Sequence, residues 1–428
     1  MPKTLAENEE ATRGNPRWMS AAIQALTLMS ALIVNFLVPI AYGVEAYGHF
    51  IQVNILVLVI QKFADIVIEP LMSSVESNYL FVTALLTSAL VLLIAQWINY
   101  FDPIGSQGLL VVMLLSSNCM VSMFALKLHR QLLLHLILVL GVFFILLGCD
   151  RSGLMSFTLS ELLIWTNLVP ALLSTVGLFR QGSQFPPAEK LGAAMLAALR
   201  LFPRNVSTTL IFNCLTNIFP YALSKEMNTR DVGMFRIITA ILQSATSLFP
   251  INAKAILAEF VEGKDRARKI YTVMAAALLY FSLIGVSALL VAYFWPKLAP
   301  YMQMIAILPV LYWAVLLERY MLAAGMIRPL IVINLVIGVV AVAAVFFVKE
   351  LKHAELLYAL GLSVYACALL AHSQLKQARV TAYAVIVSSV LALWVETILP
   401  GTSLVYMCLI VAVSFVFMKF RLSDLMTV

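Results

Sequence analysis

Charged residues are scarce in this sequence, and their scarcity excludes an ordinary soluble protein. Only 11% of the residues are charged and 62% are hydrophobic, whereas a typical soluble domain has about 25% charged residues. Apolar runs of about 20 residues recur along the whole chain, and a helix of that length crosses the hydrocarbon core of a bilayer. The 428 residues are therefore predicted to form an all-α polytopic membrane protein.

Motifs for metal, nucleotide or covalent chemistry are missing. The five cysteines form no CxxC pair, and no two of the five histidines have the spacing of zinc ligands. No Walker A motif, glycine-rich dinucleotide loop or nucleophile motif occurs. We expect no catalytic residue, no metal, no bound cofactor and no nucleic-acid partner, and the chain is not predicted to be an enzyme.

Hydropathy divides the chain into about fourteen transmembrane helices. The predicted spans are residues 18–42, 47–71, 79–100, 108–128, 131–148, 154–179, 203–223, 231–255, 270–294, 299–322, 328–348, 354–372, 379–398 and 401–419. The connections between them are short. They leave no room for a folded extramembrane domain, which argues against a membrane glycosyltransferase and against ATP-driven transport within this chain.

The distribution of Lys and Arg predicts the orientation of these spans. With a cytoplasmic N-terminus, 20 of the 28 basic residues fall on the inner side and 7 on the outer side. Cytoplasmic loops carry an excess of Lys and Arg, so both termini are predicted to be cytoplasmic. Most of the net charge of +7 is assigned to this asymmetry.

A repeated sequence pattern predicts two similar halves. Gly48-x-Phe50 begins the second span and Gly233-x-Phe235 begins the eighth, six helices later. Transporters are often built from such repeats, with the substrate path where the halves meet. The predicted organisation is an N-terminal tail at 1–17, an N-lobe at 18–179, a linker at 180–202, a C-lobe at 203–372, and two further helices with a short tail at 373–428.

Polar residues concentrate in the first two helices of each half. A charge in a membrane span is costly and tends to face a cavity or a partner. Lys62 and Asp65 lie one helical turn apart, and Arg236 lies one turn inside the outer end of the eighth span. The candidates for a substrate cavity are Gln24, Asn35, Asn54, Gln61, Lys62, Asp65, Asn213, Asn217, Arg236 and Gln243.

The charged candidates also fit structural roles that involve no substrate. Lys62 and Asp65 are also consistent with a self-neutralising ion pair buried between helices. Arg236 is also consistent with a side chain that extends outward to the membrane surface. Three other acidic residues within spans, Glu161, Glu318 and Glu396, are assigned no function.

Several of these segments resemble the bacterial polysaccharide (O-antigen) flippases. That family belongs to the superfamily that also holds multidrug exporters and the lipid II flippase. The resemblance rests on the stretch from Asn35 to Pro70 with Tyr47-Gly48-x-Phe50, and on Val232-Gly233-Met234-Phe235 followed by Phe249-Pro250. The turn from Ala323 to Arg328, followed by Asn334, resembles the family's junction between helices ten and eleven.

The resemblance implies a fold, a cargo and a location. The fold is two six-helix bundles around a central cavity, followed by two further helices. The cargo is an undecaprenyl-pyrophosphate-linked oligosaccharide, moved by alternating access across a bacterial inner membrane for surface polysaccharide or lipopolysaccharide synthesis.

The resemblance also implies site residues and partners. Lys62 and Arg236 would attract the phosphates of the cargo, although Asp65 and Glu69 make the N-lobe less positive. H⁺ or Na⁺ would be the coupling ion, and a polysaccharide polymerase and a chain-length regulator would be partners besides membrane lipids.

Two other functions stay open at this point. An ion-coupled antiporter for small molecules or drugs belongs to the same superfamily and would have the same fold. A membrane glycosyltransferase or polysaccharide polymerase usually has an extended outer loop, and the longest outer connection predicted here spans only a few residues near Lys225 to Asp231.

Overall fold

The computed structural model is helical throughout the part of the chain it describes. It describes residues 19, 22–23, 25–27, 29–30, 33–68, 71, 75–193, 195–196, 200, 219–246, 249, 266–302, 304–373, 375 and 379–419. Within these ranges there is no β-strand. The all-α prediction is confirmed.

Fourteen α-helices follow one another along the described residues. They are α1 (Val38–Tyr42), α2 (Val44–Ile68), α3 (Ser77–Phe101), α4 (Gln107–Ala125), α5 (His129–Arg151), α6 (Leu159–Arg180), α7 (Phe219–Glu226), α8 (Thr229–Thr246), α9 (Arg266–Phe294), α10 (Leu308–Ala323), α11 (Ile327–Val345), α12 (Leu351–His372), α13 (Arg379–Glu396) and α14 (Thr402–Lys419). Each of the fourteen predicted spans overlaps one of them. Among the described residues, ten helices are long and apolar enough to cross a membrane, which confirms a multi-pass membrane protein.

Local chemistry shifts several boundaries from their predicted positions. The first span was expected to be one helix to residue 42, but a π-helical turn at Ile33–Leu37 precedes α1, and Pro39 in its first turn has no N–H to donate. Gly43 ends α1 with φ of 91°, so α2 begins at Val44 rather than at 47.

The tenth span was expected from residue 299, but α10 begins only at Leu308 because a 3₁₀ helix rich in proline, Pro296–Tyr301, comes first.

A capping box delays the start of α6. The prediction began this span at residue 154, whereas the helix begins after Thr158. The Thr158 hydroxyl accepts from the Glu161 N–H at 3.3 Å, and the Glu161 carboxylate accepts from the Thr158 N–H at 2.8 Å. This reciprocal pairing satisfies two backbone donors at a helix start. Glu161 is therefore the cap of a membrane helix.

The described structure contains two compact units. Unit 1 comprises residues 1–34 and 56–202, and unit 2 comprises residues 35–55 and 203–428. The chain passes between the units at 34/35, 55/56 and 202/203. The second of these points lies inside α2, so a single helix begins in unit 2 and ends in unit 1. The predicted lobe boundaries stay a prediction.

Unit 1 is held by an apolar core from α3 to α6. Its buried centre consists of Phe81, Cys119, Met123, Leu132 and Leu178. The chain after α6 folds back onto the start of α3, where Lys190 Nζ donates to Glu76 at 2.8 Å. That hydrogen bond raises the pKa of Lys190.

Unit 2 is built around α10, whose residues are nearly all buried. An aromatic cluster of Phe249, Tyr280, Phe281 and Tyr312 packs α10 against α9. The C-terminal helix α14 approaches α9 closely at Gly285, where an added Cβ would be 2.7 Å from Met407 Cε. Tyr406 of α14 also bonds Ser389 of α13 at 2.7 Å. The last two helices therefore pack within unit 2.

Candidate functional site

Polar side chains of unit 1 meet along one tripeptide of α4. Ser116, Ser117 and Asn118 each bond a different helix. Ser117 donates to Asp65 of α2 at 2.7 Å, and Asn118 donates to Ser88 of α3 at 2.9 Å. Since apolar side chains attract one another little more than they attract lipid, hydrogen bonds of this kind contribute to holding membrane helices together.

His135 of α5 continues this polar core. Its Nε2 lies 3.3 Å from the Ser116 hydroxyl, and its Nδ1 lies 2.8 Å from the hydroxyl of Ser174 on α6. His135 is buried, with 1% of its surface exposed. The two serines satisfy both ring nitrogens, because a hydroxyl both donates and accepts. No sequence pattern indicates this role, since the neighbours of His135 in α5 on both sides are apolar.

The Lys62 cluster, which we define as Lys62, Asp65 and Ser117, contains two predicted cavity residues. Lys62 Nζ lies 3.4 Å from Asp65 Oδ2, and their side chains are 52% and 30% exposed. The predicted ion pair therefore exists, but it is accessible rather than buried. Because Ser117 binds the other carboxylate oxygen, Asp65 keeps a partner when Lys62 moves away.

The Arg236 cluster lies in unit 2 and brings together three predicted residues. We define it as Asn35, Tyr47, Arg236, Gln243 and Tyr358. The Tyr47 hydroxyl donates to Asn35 Oδ1 at 2.9 Å and forms a side-chain hydrogen bond with Arg236. Gln243 bonds the Tyr358 hydroxyl. Arg236 is half-buried two turns into α8, and its hydrogen bond with Tyr47 holds its side chain.

The Glu318 cluster is a polar site that the sequence did not indicate. It consists of Glu318 of α10, Asn334 of α11 and Tyr365 of α12, all buried. The Tyr365 hydroxyl donates to Glu318 Oε2 at 2.8 Å, and Asn334 bonds the side chain of Tyr365. Arg319 interacts electrostatically with the carboxylate. A carboxylate deep in a helix bundle is a candidate for carrying a proton or a metal cation.

Two further in-span acids, Glu161 and Glu396, bond backbone N–H groups. Glu161 caps α6, as described above. Glu396 joins the end of α13 to the start of α14, because its two carboxylate oxygens accept from Gly401 N at 2.8 Å and from Ser403 N at 2.6 Å. Both residues satisfy backbone N–H groups that have no partner within their own helix.

The remaining predicted residues divide into two groups. Asn54 is buried and its amide donates to Phe50 O of its own helix at 3.0 Å, while Gln61 is half-buried beside Lys62. Gln24, Asn213 and Asn217 lie outside the described residues. In the described part of the chain, no group of three or more His, Cys, Asp or Glu residues could hold a metal ion.

A comparison with solved structures identifies the architecture. The eukaryotic MATE transporter AtDTX14 superposes with a TM-score of 0.50 at 13% sequence identity, over 86% of this chain and 97% of that chain. This chain has the MATE fold. A shared fold at this identity does not distinguish the polysaccharide flippases from other transporters.

The other comparisons add little to this assignment. An outward-facing multidrug resistance MATE family transporter of the MOP superfamily aligns over 86% of this chain and 94% of its own, with 11% identity and a TM-score of 0.38. A score that low does not by itself establish a common fold. No protein-family model matches the sequence, and no curated protein matches it.

Proposed function

We propose that this chain is a secondary transporter that works by alternating access in a bacterial inner membrane, with both termini in the cytoplasm. The observation that carries the proposal is the MATE fold, which covers 97% of the AtDTX14 chain. Polar clusters inside otherwise apolar helices support it, because residues of this kind mark substrate and ion pathways in membrane proteins. None of the Lys62, Arg236 and Glu318 clusters suggests a covalent reaction.

The first candidate is an ion-coupled antiporter for small molecules. The fold favours it, since the solved structure with that fold is a MATE transporter. The Glu318 cluster supports it as well. A buried carboxylate that receives a hydroxyl hydrogen bond can exchange a proton or Na⁺, and neither exchange needs a bound cofactor.

The second candidate is a flippase for an undecaprenyl-pyrophosphate-linked oligosaccharide. Two cations favour it: Lys62, which is more than half exposed, and Arg236, which neighbouring side chains hold in place. Cations in a site of low dielectric constant bind phosphate oxygens strongly. In that case a polysaccharide polymerase and a chain-length regulator would be partners.

Two measurements separate these candidates. The purified protein is reconstituted in vesicles with an H⁺ or Na⁺ gradient, and the gradient-dependent movement of a lipophilic cationic dye is followed. In parallel, a strain that lacks the protein is assayed for surface polysaccharide and for lipid-linked repeat units on the inner leaflet. Dye transport with normal polysaccharide supports the antiporter, and accumulated repeat units support the flippase. Wild-type behaviour in both assays would contradict the proposal.

Replacing Lys62 with alanine is expected to reduce transport without unfolding the protein. An accessible ion pair contributes only about 0–1 kcal/mol to stability, so its loss should leave the thermal unfolding midpoint nearly unchanged. Ser117→Ala is the matched control, because it removes a partner of Asp65 and leaves Lys62 in place. Transport and unfolding are measured for both variants. Lower stability with unchanged transport in Lys62→Ala would indicate a purely structural ion pair.

A further inference from the structure

A cavity of about 40 Å³ lies between four helices of unit 2. We define it as the C-terminal cavity, bounded by Met274 of α9, Trp313 of α10, Thr381 and Ala382 of α13, and Ser414 of α14. Its wall is mostly apolar, and the Trp313 N–H already donates to Met274 O at 2.9 Å. A space of about 10–15 Å³ holds one water molecule, but water stays only where polar groups bind it. The C-terminal cavity therefore suits a few methylene groups better than water.

One polar group in the wall has no partner. Ser414 is 3% exposed, and its hydroxyl makes no hydrogen bond within the described part of the chain. A hydroxyl that is buried without a hydrogen bond raises the free energy of the folded state. A guest that has an acceptor at the end of an apolar chain would remove this cost while it fills the cavity.

The packing of α13 against α14 shows where the cavity lies along these helices. The two helices are consecutive and antiparallel, and the Ser389–Tyr406 hydrogen bond fixes their register. Thr381 stands eight residues before Ser389, and Ser414 stands eight residues after Tyr406. Equal steps along antiparallel helices reach the same level. Thr381 and Ser414 therefore lie at one level, close to the beginning of α13.

Arg379 is the first residue of α13 and lies one turn from the cavity wall. It precedes Ala382 by three residues, so the two share a face of the helix. Arg379 is half-buried, and its Nη2 donates to Ser373 O at 2.5 Å. A guanidinium group has five N–H donors, so donors remain for an anion. A cation at the helix end, a hydroxyl at the next level and an apolar cavity beside it match the phosphate, ester and acyl chain of a phospholipid.

We propose that the C-terminal cavity binds one acyl chain of a membrane phospholipid. The lipid phosphate binds Arg379, and its ester carbonyl accepts a hydrogen bond from Ser414. Arginine forms strong hydrogen bonds with phosphate oxygens, which selects a phospholipid over an uncharged apolar molecule. The site goes beyond the proposed function, because its occupant is a resident lipid and not a cargo. The bound chain fills the space between α9 and the last two helices and stabilises their packing.

The test uses the fluorescence of Trp313 in the full-length chain, after the other five tryptophans are changed to phenylalanine. Trp313 is 3% exposed, so a bromine atom on an acyl chain reaches its ring only from inside the cavity. In vesicles of phosphatidylglycerol with brominated acyl chains, Trp313 should be quenched relative to unbrominated vesicles. A protein with only Trp394, which is 51% exposed on α13, is the reference for contact with bulk lipid. Quenching of Trp394 without quenching of Trp313 would overturn the site.

Three variants of the Trp313-only protein test the residues of the site. Ala382→Leu puts a larger side chain into the cavity and should abolish quenching. Ala384→Leu is the matched control, because Ala384 is exposed on the same helix, and quenching should be unchanged. In detergent micelles titrated with the brominated lipid, Ser414→Ala should raise the concentration for half-maximal quenching by about fivefold, the value of one hydrogen bond of about 1 kcal/mol. Arg379→Gln should raise it by about tenfold or more, since a charged hydrogen bond is lost.

A brominated fatty acid methyl ester distinguishes the phosphate contact from apolar binding alone. It has the chain and the ester but no phosphate, so it should quench Trp313 only at higher concentration and should not respond to Arg379→Gln. Equal potency of the methyl ester and the phospholipid would overturn the contact with Arg379. If Ala382→Leu fails to fold, Ser414→Ala still decides the question, because it only removes a hydroxyl group. Quenching requires no transport, so this result and that of the transport assays are independent.

Discussion

Glutamine in place of Glu318 is expected to abolish transport driven by a cation gradient while the protein stays folded. The glutamine carbonyl oxygen can still accept the hydrogen bond that Tyr365 donates to Glu318 at 2.8 Å. The side chain can no longer carry a charge, so it cannot exchange a proton or pair with Na⁺. We expect gradient-driven transport to fall by more than about tenfold, which corresponds to about 1.4 kcal/mol. Vesicle flux under an imposed H⁺ or Na⁺ gradient measures the effect.

Two control variants distinguish coupling from stability in this experiment. Tyr365→Phe removes only the hydroxyl group and should weaken transport by about fivefold, the value of one hydrogen bond of about 1 kcal/mol. Glu161→Gln removes a carboxylate that caps a helix, and should leave coupling unchanged. Cation-driven flux that persists in folded Glu318→Gln would remove the coupling role from this carboxylate.

Alanine in place of Arg236 is expected to reduce transport of an anionic cargo by about tenfold or more. A hydrogen bond to a charged group contributes about 1.5–3 kcal/mol, and the variant loses the cation that Tyr47 now positions. Protein levels in the membrane should stay normal, because Arg236 is only half-buried. Export of surface polysaccharide by a strain carrying the variant, normalised to protein level, is the measurement.

The same variant also separates the two candidate cargoes. An antiporter of cationic molecules should transport its dye as well without Arg236 as with it, or better, because like charges repel. Tyr47→Phe is the control: it removes the hydroxyl that links Arg236 to Asn35 and keeps the positive charge, so its effect should be smaller. Wild-type polysaccharide export by Arg236→Ala would contradict an anion-binding role.

Within the described residues, the sequence predicted where most of the helices lie because hydropathy is a local property. Each apolar run of about 20 residues must form a helix in a bilayer, where backbone groups find no water. Errors in the boundaries had local causes as well. The proline-rich stretch before Leu308 and the glycine at 43 could both have been recognised, and Thr158-x-x-Glu161 is the sequence signature of a capping box.

The polar clusters were predicted only in part. The polar pattern along single helices indicates Asn35, Arg236 and Gln243, and the structure places them in one cluster. The sequence places Glu318 beside Arg319, a pattern that is also typical of an ion pair at the membrane surface. Its hydrogen-bond partner, Tyr365, is 47 residues away, and nothing in the local pattern of either helix indicates that they meet.

The sequence by itself determined that this chain crosses a membrane many times, since the cost of exposing backbone or charge to lipid depends on the residues of each segment alone. It also revealed the repeated Gly-x-Phe. Only the tertiary structure decided that the two copies touch, that Trp313 and Ser414 line one cavity, and that Glu318 is buried against Tyr365. Contacts of this kind depend on which helix faces cross, and helix packing sets that geometry over the whole unit.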